Sequence, residues 1–457
     1  MPTDSTTRRK WWILGAMGVI LGVILLDETI VGVALPTIQS DLAMTTLGSH
    51  WVVNIYMLVL AGLVAAAGKL GDMIGHKVLM IAGLLIFGLA SLASGFADTG
   101  TWLIVARGVQ GVGAAIIFPA SLAMLMTTFP EEQRGMALGL YGGIGTVFLA
   151  LGPLVGGVLT DLATWRWIFW INPPILIGVA LVVQFAWSDA DVEKLRERFD
   201  PIGLVLLVAG LSLTVFGIMQ GPDIGWLSPV IVGSLASGLV LLAAFVAFEW
   251  RRRDSPLIEV RLFANPTFSA CNLMIFNAQF SKMALFVFGA LYFQQALGLT
   301  PLMAGVARLP AVAPQILTAP LAGRAADRFG ARWPSIASVA MLFAGTVWVA
   351  AFTPANDYIL LLPGLLLWGV SMPGLFIPPQ RAILNAVKPS QQGEAGGISM
   401  SMQLLGAALG MAVSSAVYAM TRDFSAVFVA NAVVVGAVLV IALLAIERRA
   451  AVQAAKA

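Results

Sequence analysis

Stretches of about twenty apolar residues recur from Trp11 to Ile446, each separated from the next by a short polar break. At about 1.5 Å of rise per residue, that is the length an α-helix needs to cross the hydrocarbon of a bilayer. In lipid every backbone N–H and C=O must be paired within the protein, so segments of this kind can only be helices. The composition agrees. Of 457 residues 59% are hydrophobic and 11% charged, with a mean hydropathy of +0.92, which excludes a water-soluble α-helical protein. The first stretch carries Asp27 and Glu28 and lacks a small-residue cleavage site, so it reads as a retained span and not as a leader.

The runs place spans near 11–35, 48–67, 78–97, 101–126, 136–159 and 165–187, then near 201–219 and 227–249. Six more follow near 267–293, 301–322, 333–353, 358–378, 395–420 and 425–446. The expected fold class is an all-α polytopic membrane protein of fourteen transmembrane helices: two six-helix bundles related by a parallel pseudo-repeat, plus two inserted spans. The domains are then 1–187 (amino-terminal bundle), 188–265 (two-helix insertion with cytoplasmic links) and 266–457 (carboxy-terminal bundle and short tail). Basic loops stay on the cytoplasmic side of a membrane. With fourteen spans and a cytoplasmic amino terminus, all the lysines and arginines fall inside except Arg166 and Arg422, which fall outside, and Arg107, Lys282 and Arg308, which lie within spans. Both termini are therefore expected in the cytoplasm, with the chain in the inner (plasma) membrane. The parallel repeat is visible directly: Gly68-Lys-Leu-Gly-Asp-Met-Ile-Gly-His-Lys77 returns as Gly323-Arg-Ala-Ala-Asp-Arg-Phe-Gly-Ala-Arg332, each copy after the second span of its half.

Several chemistries are poorly served by this sequence. Cys271 is the one cysteine and sits in an apolar segment, so no disulfide or thiolate metal site can form. His50 and His76 are far apart near span ends, which leaves a histidine metal site unsupported. The net charge of +3 is dispersed over short loops and forms no basic face for nucleic acid. No nucleophile and base pair stands out, so the chain is not expected to be an enzyme.

Charge inside the membrane needs a reason, because a carboxylate at the centre of a span costs about 2.5–3.5 kcal/mol on insertion scales. Asp27 and Glu28 lie some eight residues before Pro36, in the outer part of the first span as the sequence reads. Neighbouring helical residues diverge by about 100°, so one of the two at most faces a cavity directly. Asp27 is favoured as that group, able to alternate between a proton and a cation; a structural hydrogen bond or ion pair is the other reading. Arg107 in the fourth span shares a stripe with Gln110, Gly111 and Ala114, and must be paired or wet. It either tunes the first-span acid or forms a fixed anchor. In the fifth span, Leu151-Gly-Pro-Leu-Val-Gly-Gly157 joins Pro153 to Gly152, Gly156 and Gly157, a bend or a close helix contact. Candidate cavity residues are Asn54, Tyr56, Gln110, Asn277, Gln279, Lys282 and Gln294; Gln279 and Lys282 share a helix face, and Lys282 is a second candidate for charge coupling.

These residues resemble the major facilitator superfamily, and specifically its fourteen-span drug:proton antiporter family, over nearly the whole chain. Gly68–Lys77 is similar to the superfamily's loop between spans two and three, and Arg107–Ala115 to its fourth-span arginine segment. Gly152-Pro153 with Gly156-Gly157 resembles the antiporter segment of span five, although Phe148 stands where a further glycine is usual. Leu26–Pro36 resembles the family's first-span signature with Gly32 replacing an asparagine, and Trp51, Tyr56 and Trp165–Pro173 fit the same branch. The resemblance implies alternating access, with Asp27 as proton carrier, Arg107 as its electrostatic partner and Asp72 in a cytoplasmic charge latch. Gly68, Gly75, Lys77, the fifth-span Gly152, Pro153, Gly156 and Gly157 and, by the repeat, Asp327 are the other gating and conformational positions. Glu28 is not a usual part of the pattern. The function expected is proton-coupled export of hydrophobic, cationic small molecules, a multidrug efflux that would confer antibiotic resistance. The alternative is proton-coupled transport of one metabolite on the same scaffold. Expected partners are the small molecule, protons and the lipid bilayer, with the monomer as working unit and the proton gradient in place of any cofactor.

Overall fold

The computed structural model describes residues 4–187, 200–252, 256–387 and 392–445. The link 188–199 and the tail from 446 onward, both part of the expected domain scheme, lie outside these described residues. Among the described residues fourteen helices are long and apolar enough to cross a membrane. They run Arg9–Asp41, Thr46–Gly71, His76–Gly95, Gly100–Thr128, Gly139–Leu162, Trp167–Ala186, Pro201–Ile224 and Pro229–Arg251, then Pro266–Gln295, Pro301–Ala326, Arg332–Ala355, Tyr358–Asn385, Ala395–Thr421 and Phe424–Leu444. They are called the first to the fourteenth span below.

Local chemistry sets where several of them begin. Thr45, Thr99, Ser228, Asn265 and Asp357 each accept an N–H of the first turn that follows, which satisfies donors the helix itself cannot. Between the second and third spans Gly75, at φ 107°, makes a turn that a side chain would strain, and Gly330, at φ 74°, does the same in the repeat. The first span departs from expectation. Pro36 does not end it; the helix runs from Asp4 to Asp41. A proline costs a membrane helix one ladder bond but need not stop it when both sides are held. The far end is held here through Asp41, which accepts from Trp165 Nε1 at 2.9 Å and from Arg166 Nη1 at 2.8 Å.

The chain packs as two units, Met1–Val208 with Thr300–Val306, and Ala209–Leu299 with Ala307–Ala457. In the first, span one packs along span five and also meets spans four and six, while span four meets spans two and three, and span six meets span three. In the second unit the same pairings return eight spans later: nine with thirteen, twelve and fourteen, twelve with ten and eleven, and fourteen with eleven. The sequence repeat is thus also a repeat of packing. Spans seven and eight approach through small residues, since a Cβ on Gly238 would lie 2.8 Å from the Thr214 backbone nitrogen.

Candidate functional site

Asp27 sits about 21 Å before the first helix ends, because the helix continues beyond Pro36. That places both acids near mid-span and not in its outer part. Asp27 is 1% exposed and Glu28 5%. Opposite them on span four is Arg107, fully buried, whose Nη1 meets Asp27 Oδ2 at 2.6 Å. The same Nη1 donates to Gln110 Oε1 at 2.9 Å, and Nε donates to the Val52 carbonyl of span two at 3.1 Å. Gln110 Nε2 donates to the second carboxylate oxygen of Asp27 at 3.0 Å. Arg107 and Gln110, one helical turn apart, therefore hold both oxygens of one acid. Tyr56 stacks on the guanidinium, 4.2 Å from ring centroid to Cζ, and Phe169 lies 5.8 Å away.

The backbone brings these groups together through small residues. A Cβ on Gly111 would come 2.8 Å from the Tyr56 carbonyl, and one on Gly113 2.5 Å from the Phe87 nitrogen, so span four can lie against spans two and three only with glycine there. On the other side of span one, a Cβ on Gly152 would overlap the Thr29 hydroxyl and one on Gly156 would fall 3.0 Å from the Ile30 carbonyl. The fifth-span glycines thus press on the turn that carries Asp27 and Glu28. Pro153 backs onto Gly305, and Gly157 onto Leu302, from the short stretch of span ten that belongs to this unit. Phe148 has its own explanation: its ring lies over Gly22, where a Cβ would be 2.5 Å from Cγ. The glycine usual in span five stands instead on span one, and the two helices keep their close approach with large and small exchanged.

The remaining expected positions distribute as follows. Asn54 is fully buried on span two. Asn277, Gln279 and Lys282 are buried on span nine, at 0%, 6% and 6% exposure, while Gln294 near its end is half-buried. Lys77 donates to the carbonyls of Gln184 at 2.9 Å and Trp187 at 3.2 Å, where span six ends. Arg332, its counterpart in the repeat, donates to the Leu443 carbonyl at the end of span fourteen at 3.1 Å. A cation on the last carbonyls of a helix satisfies acceptors and opposes the helix dipole. Gly68 lies against Pro119 of span four. Asp72 and Asp327 fall on helices whose side chains at those positions lie outside the described residues. Sequence reasoning missed three features: the clasp of Trp165 and Arg166 on Asp41, the Phe148–Gly22 exchange, and a turn of π-helix at Ala284–Phe288 in span nine. The first had a signal in Arg166, an isolated cation at a span end. Among the described residues no cluster of three or more His, Cys, Asp or Glu could hold a metal ion.

Fourteen apolar spans, a doubled bundle and a buried acid–arginine pair define a polytopic membrane transporter. The chain belongs to the Major Facilitator Superfamily, whose family model matches residues 17–250 and 271–457. Multidrug resistance protein Stp of Mycobacterium tuberculosis is 32% identical over 405 residues, 88% of this chain and 75% of that one. The tetracenomycin C resistance and export protein of Streptomyces glaucescens is 30% identical over 413 residues, 90% and 76% of the two chains. Methyl viologen resistance protein SmvA of Salmonella typhimurium is 33% identical over 427 residues, 92% and 84%. Among solved structures, a bacterial homologue of the human lysosomal transporter Spinster matches with a TM-score of 0.69 over 96% of this chain and 97% of that one. At 15% identity that likeness bears on the fold alone.

Proposed function

We propose that this protein is a proton-coupled antiporter that exports hydrophobic, cationic small molecules from the cytoplasm by alternating access. The observation that carries the reading is the fully buried ion pair between Asp27 and Arg107 at mid-span. A proton arriving on Asp27 cancels the charge that holds Arg107 and Gln110 in place, so binding and release of a proton can change the contacts between spans one and four. Glu28, buried one residue further on, is a second acid to which a cation is attracted. The names of the relatives support an export role, and one of them is named for methyl viologen, a dication. Others are named for tetracenomycin C, puromycin and cephamycin, which supports a narrower cargo as the second reading; a cargo panel under one imposed gradient separates the two.

The six-plus-two-plus-six domain scheme, the inner-membrane location with cytoplasmic termini, and action as a monomer belong to the same proposal. So do the gating and conformational roles of Gly68, Asp72, Gly75, Lys77, Gly152, Pro153, Gly156, Gly157 and Asp327, and the cavity roles of Asn54, Tyr56, Gln110, Asn277, Gln279, Lys282 and Gln294. The deciding measurement is ethidium efflux from proteoliposomes under a controlled pH gradient. Asp27→Asn, destabilised by the stranded Arg107 but assayed on its folded fraction, should lose gradient-driven efflux, while Glu28→Gln should retain it with weaker affinity for the cation. Efflux by Asp27→Asn at the wild-type rate would remove Asp27 from the coupling role.

A further inference from the structure

The second unit contains an arginine as deeply buried as Arg107 but differently employed. Arg308 is 1% exposed, at the turn where the helix Pro301–Ala307 gives way to Leu309–Phe329. Its Nη1 donates to the carbonyl of Phe286, in the π-helical turn of span nine, and its guanidinium lies over the Phe286 ring at 5.3 Å. Phe286 in turn meets Trp368, 5.9 Å between ring centroids, and Trp368 is fixed by its donation to Ser281 Oγ at 3.1 Å. The Tyr358 hydroxyl donates to the Ala307 carbonyl beside the arginine at 3.0 Å. Arg308 is therefore held by one corner against a wall of aromatic rings.

What remains is its other edge. Nε and Nη2 are both buried and neither has a hydrogen-bond partner. Those two N–H groups point in parallel along one side of the guanidinium, the edge that receives the two oxygens of a carboxylate. Among the described residues of this unit no carboxylate is paired with Arg308, and the acids of known partner are committed elsewhere. Glu249 accepts from Leu257, Glu259 from Arg261, Asp357 from Ile359 and Asp423 from Ser425. In the first unit the chain supplies Asp27 to its buried arginine; in the second, among the described residues, it supplies a backbone carbonyl and no carboxylate. A residue needed merely to anchor Phe286 would leave two desolvated donors unused, which native interiors rarely tolerate.

We propose that Arg308 receives the carboxylate of an amphiphilic aromatic anion, a binding site distinct from the Asp27–Arg107 pair. It extends the cargo class beyond cations and for that physiological meaning rests on the exporter reading, but the binding itself does not. The probe is 4-benzoylbenzoate, a photoreactive aryl carboxylate, compared with its neutral amide on purified full-length protein in lipid nanodiscs. The carboxylate should bind at least roughly tenfold more tightly than the amide. Arg308→Gln should make the two equal, and Arg308→Lys should keep the preference for charge while weakening it. Irradiation should place adducts on the segments around Phe286, Trp368 or Tyr358, a readout on the wild-type chain that stands even where a variant fails to fold. Equal binding of acid and amide, adducts confined to other spans, or the same discrimination in folded Arg308→Gln would overturn the proposal. So would full displacement by chloride at matched concentration, which would mark a simple counter-ion site. Failure of ethidium efflux would remove the exporter reading and leave this binding result standing.

Discussion

Arg107 meets span one, span two and its own helix at once, through Asp27, the Val52 carbonyl and Gln110. Lysine could not reproduce this, since one ammonium cannot bond a carbonyl on one side and a carboxylate on the other in a fixed plane. Removing one partner of a buried pair leaves the other charge stranded, a loss of about 3–5 kcal/mol. Arg107→Ala should therefore lower the thermal midpoint of the purified protein sharply, and adding Asp27→Asn to the same chain should restore most of it. A single Arg107→Ala that melts with the wild type would show that the pair contributes nothing to stability. The two charged partners were legible in the sequence because each is an expensive residue inside an apolar run. Their depth was not. It depends on whether Pro36 ends the helix, and that is decided by Trp165 and Arg166, more than a hundred residues away, gripping Asp41. The role of Gln110 was likewise hidden, since a glutamine in a span can face a cavity or a neighbour equally well. Arg308 shows the same limit from the other side: its location was plain, but its spent corner and unspent edge exist only in three dimensions.

Helices one and five share the longest seam of the first unit, and its complementarity is set by single side chains. Gly18 lies beneath Ile144, Gly22 beneath Phe148, and the Thr29 turn beneath Gly152. The partner of each side chain is a glycine on the other helix, on span one opposite Ile144 and Phe148 and on span five opposite Thr29. Gly22→Ala should push a methyl into the Phe148 ring and cost about 1–3 kcal/mol through overpacking. Phe148→Ala alone should also destabilise by removing the ring that covers Gly22, though by less than the ~3–5 kcal/mol of a fully buried phenylalanine, because Phe148 is half-buried. Combined, the two should cost clearly less than their sum, because each relieves the fault of the other; strict additivity in melting experiments would show that the residues do not touch in the working protein. Span starts were readable to within a few residues, since hydropathy and caps act locally, whereas the first, seventh and twelfth spans run five to seven residues past their expected ends, to Asp41, Ile224 and Asn385. Which helix faces which was not, because the fourteen runs are apolar nearly all round and carry little periodicity to show their faces. The π turn in span nine is of the same kind: nothing in Ala284-Leu-Phe-Val-Phe288 distinguishes it from an ordinary helical run.

The packing of spans one to six returns in spans nine to fourteen, and both copies of the loop after the second span of each half end in a cation that caps the sixth helix of that half, Lys77 on span six and Arg332 on span fourteen. If all fourteen helices cross, both ends of the chain lie on one side of the membrane, and the orientation proposed above makes that side the cytoplasm. A fluorescent protein fused after Ala457 should fold and emit inside the cell, while alkaline phosphatase at the same position should stay inactive; the opposite pair of results would mean that the orientation is reversed or that one of the fourteen helices does not cross. One modest residue makes the molecule unusually open to such experiments. Cys271 is the chain's one thiol, and it is wholly enclosed within span nine. A cysteine introduced at any chosen loop is thus the first accessible one, and two introduced together form an isolated pair for spin labels or dyes. The native sequence comes ready for distance measurements during transport, without the usual removal of competing thiols.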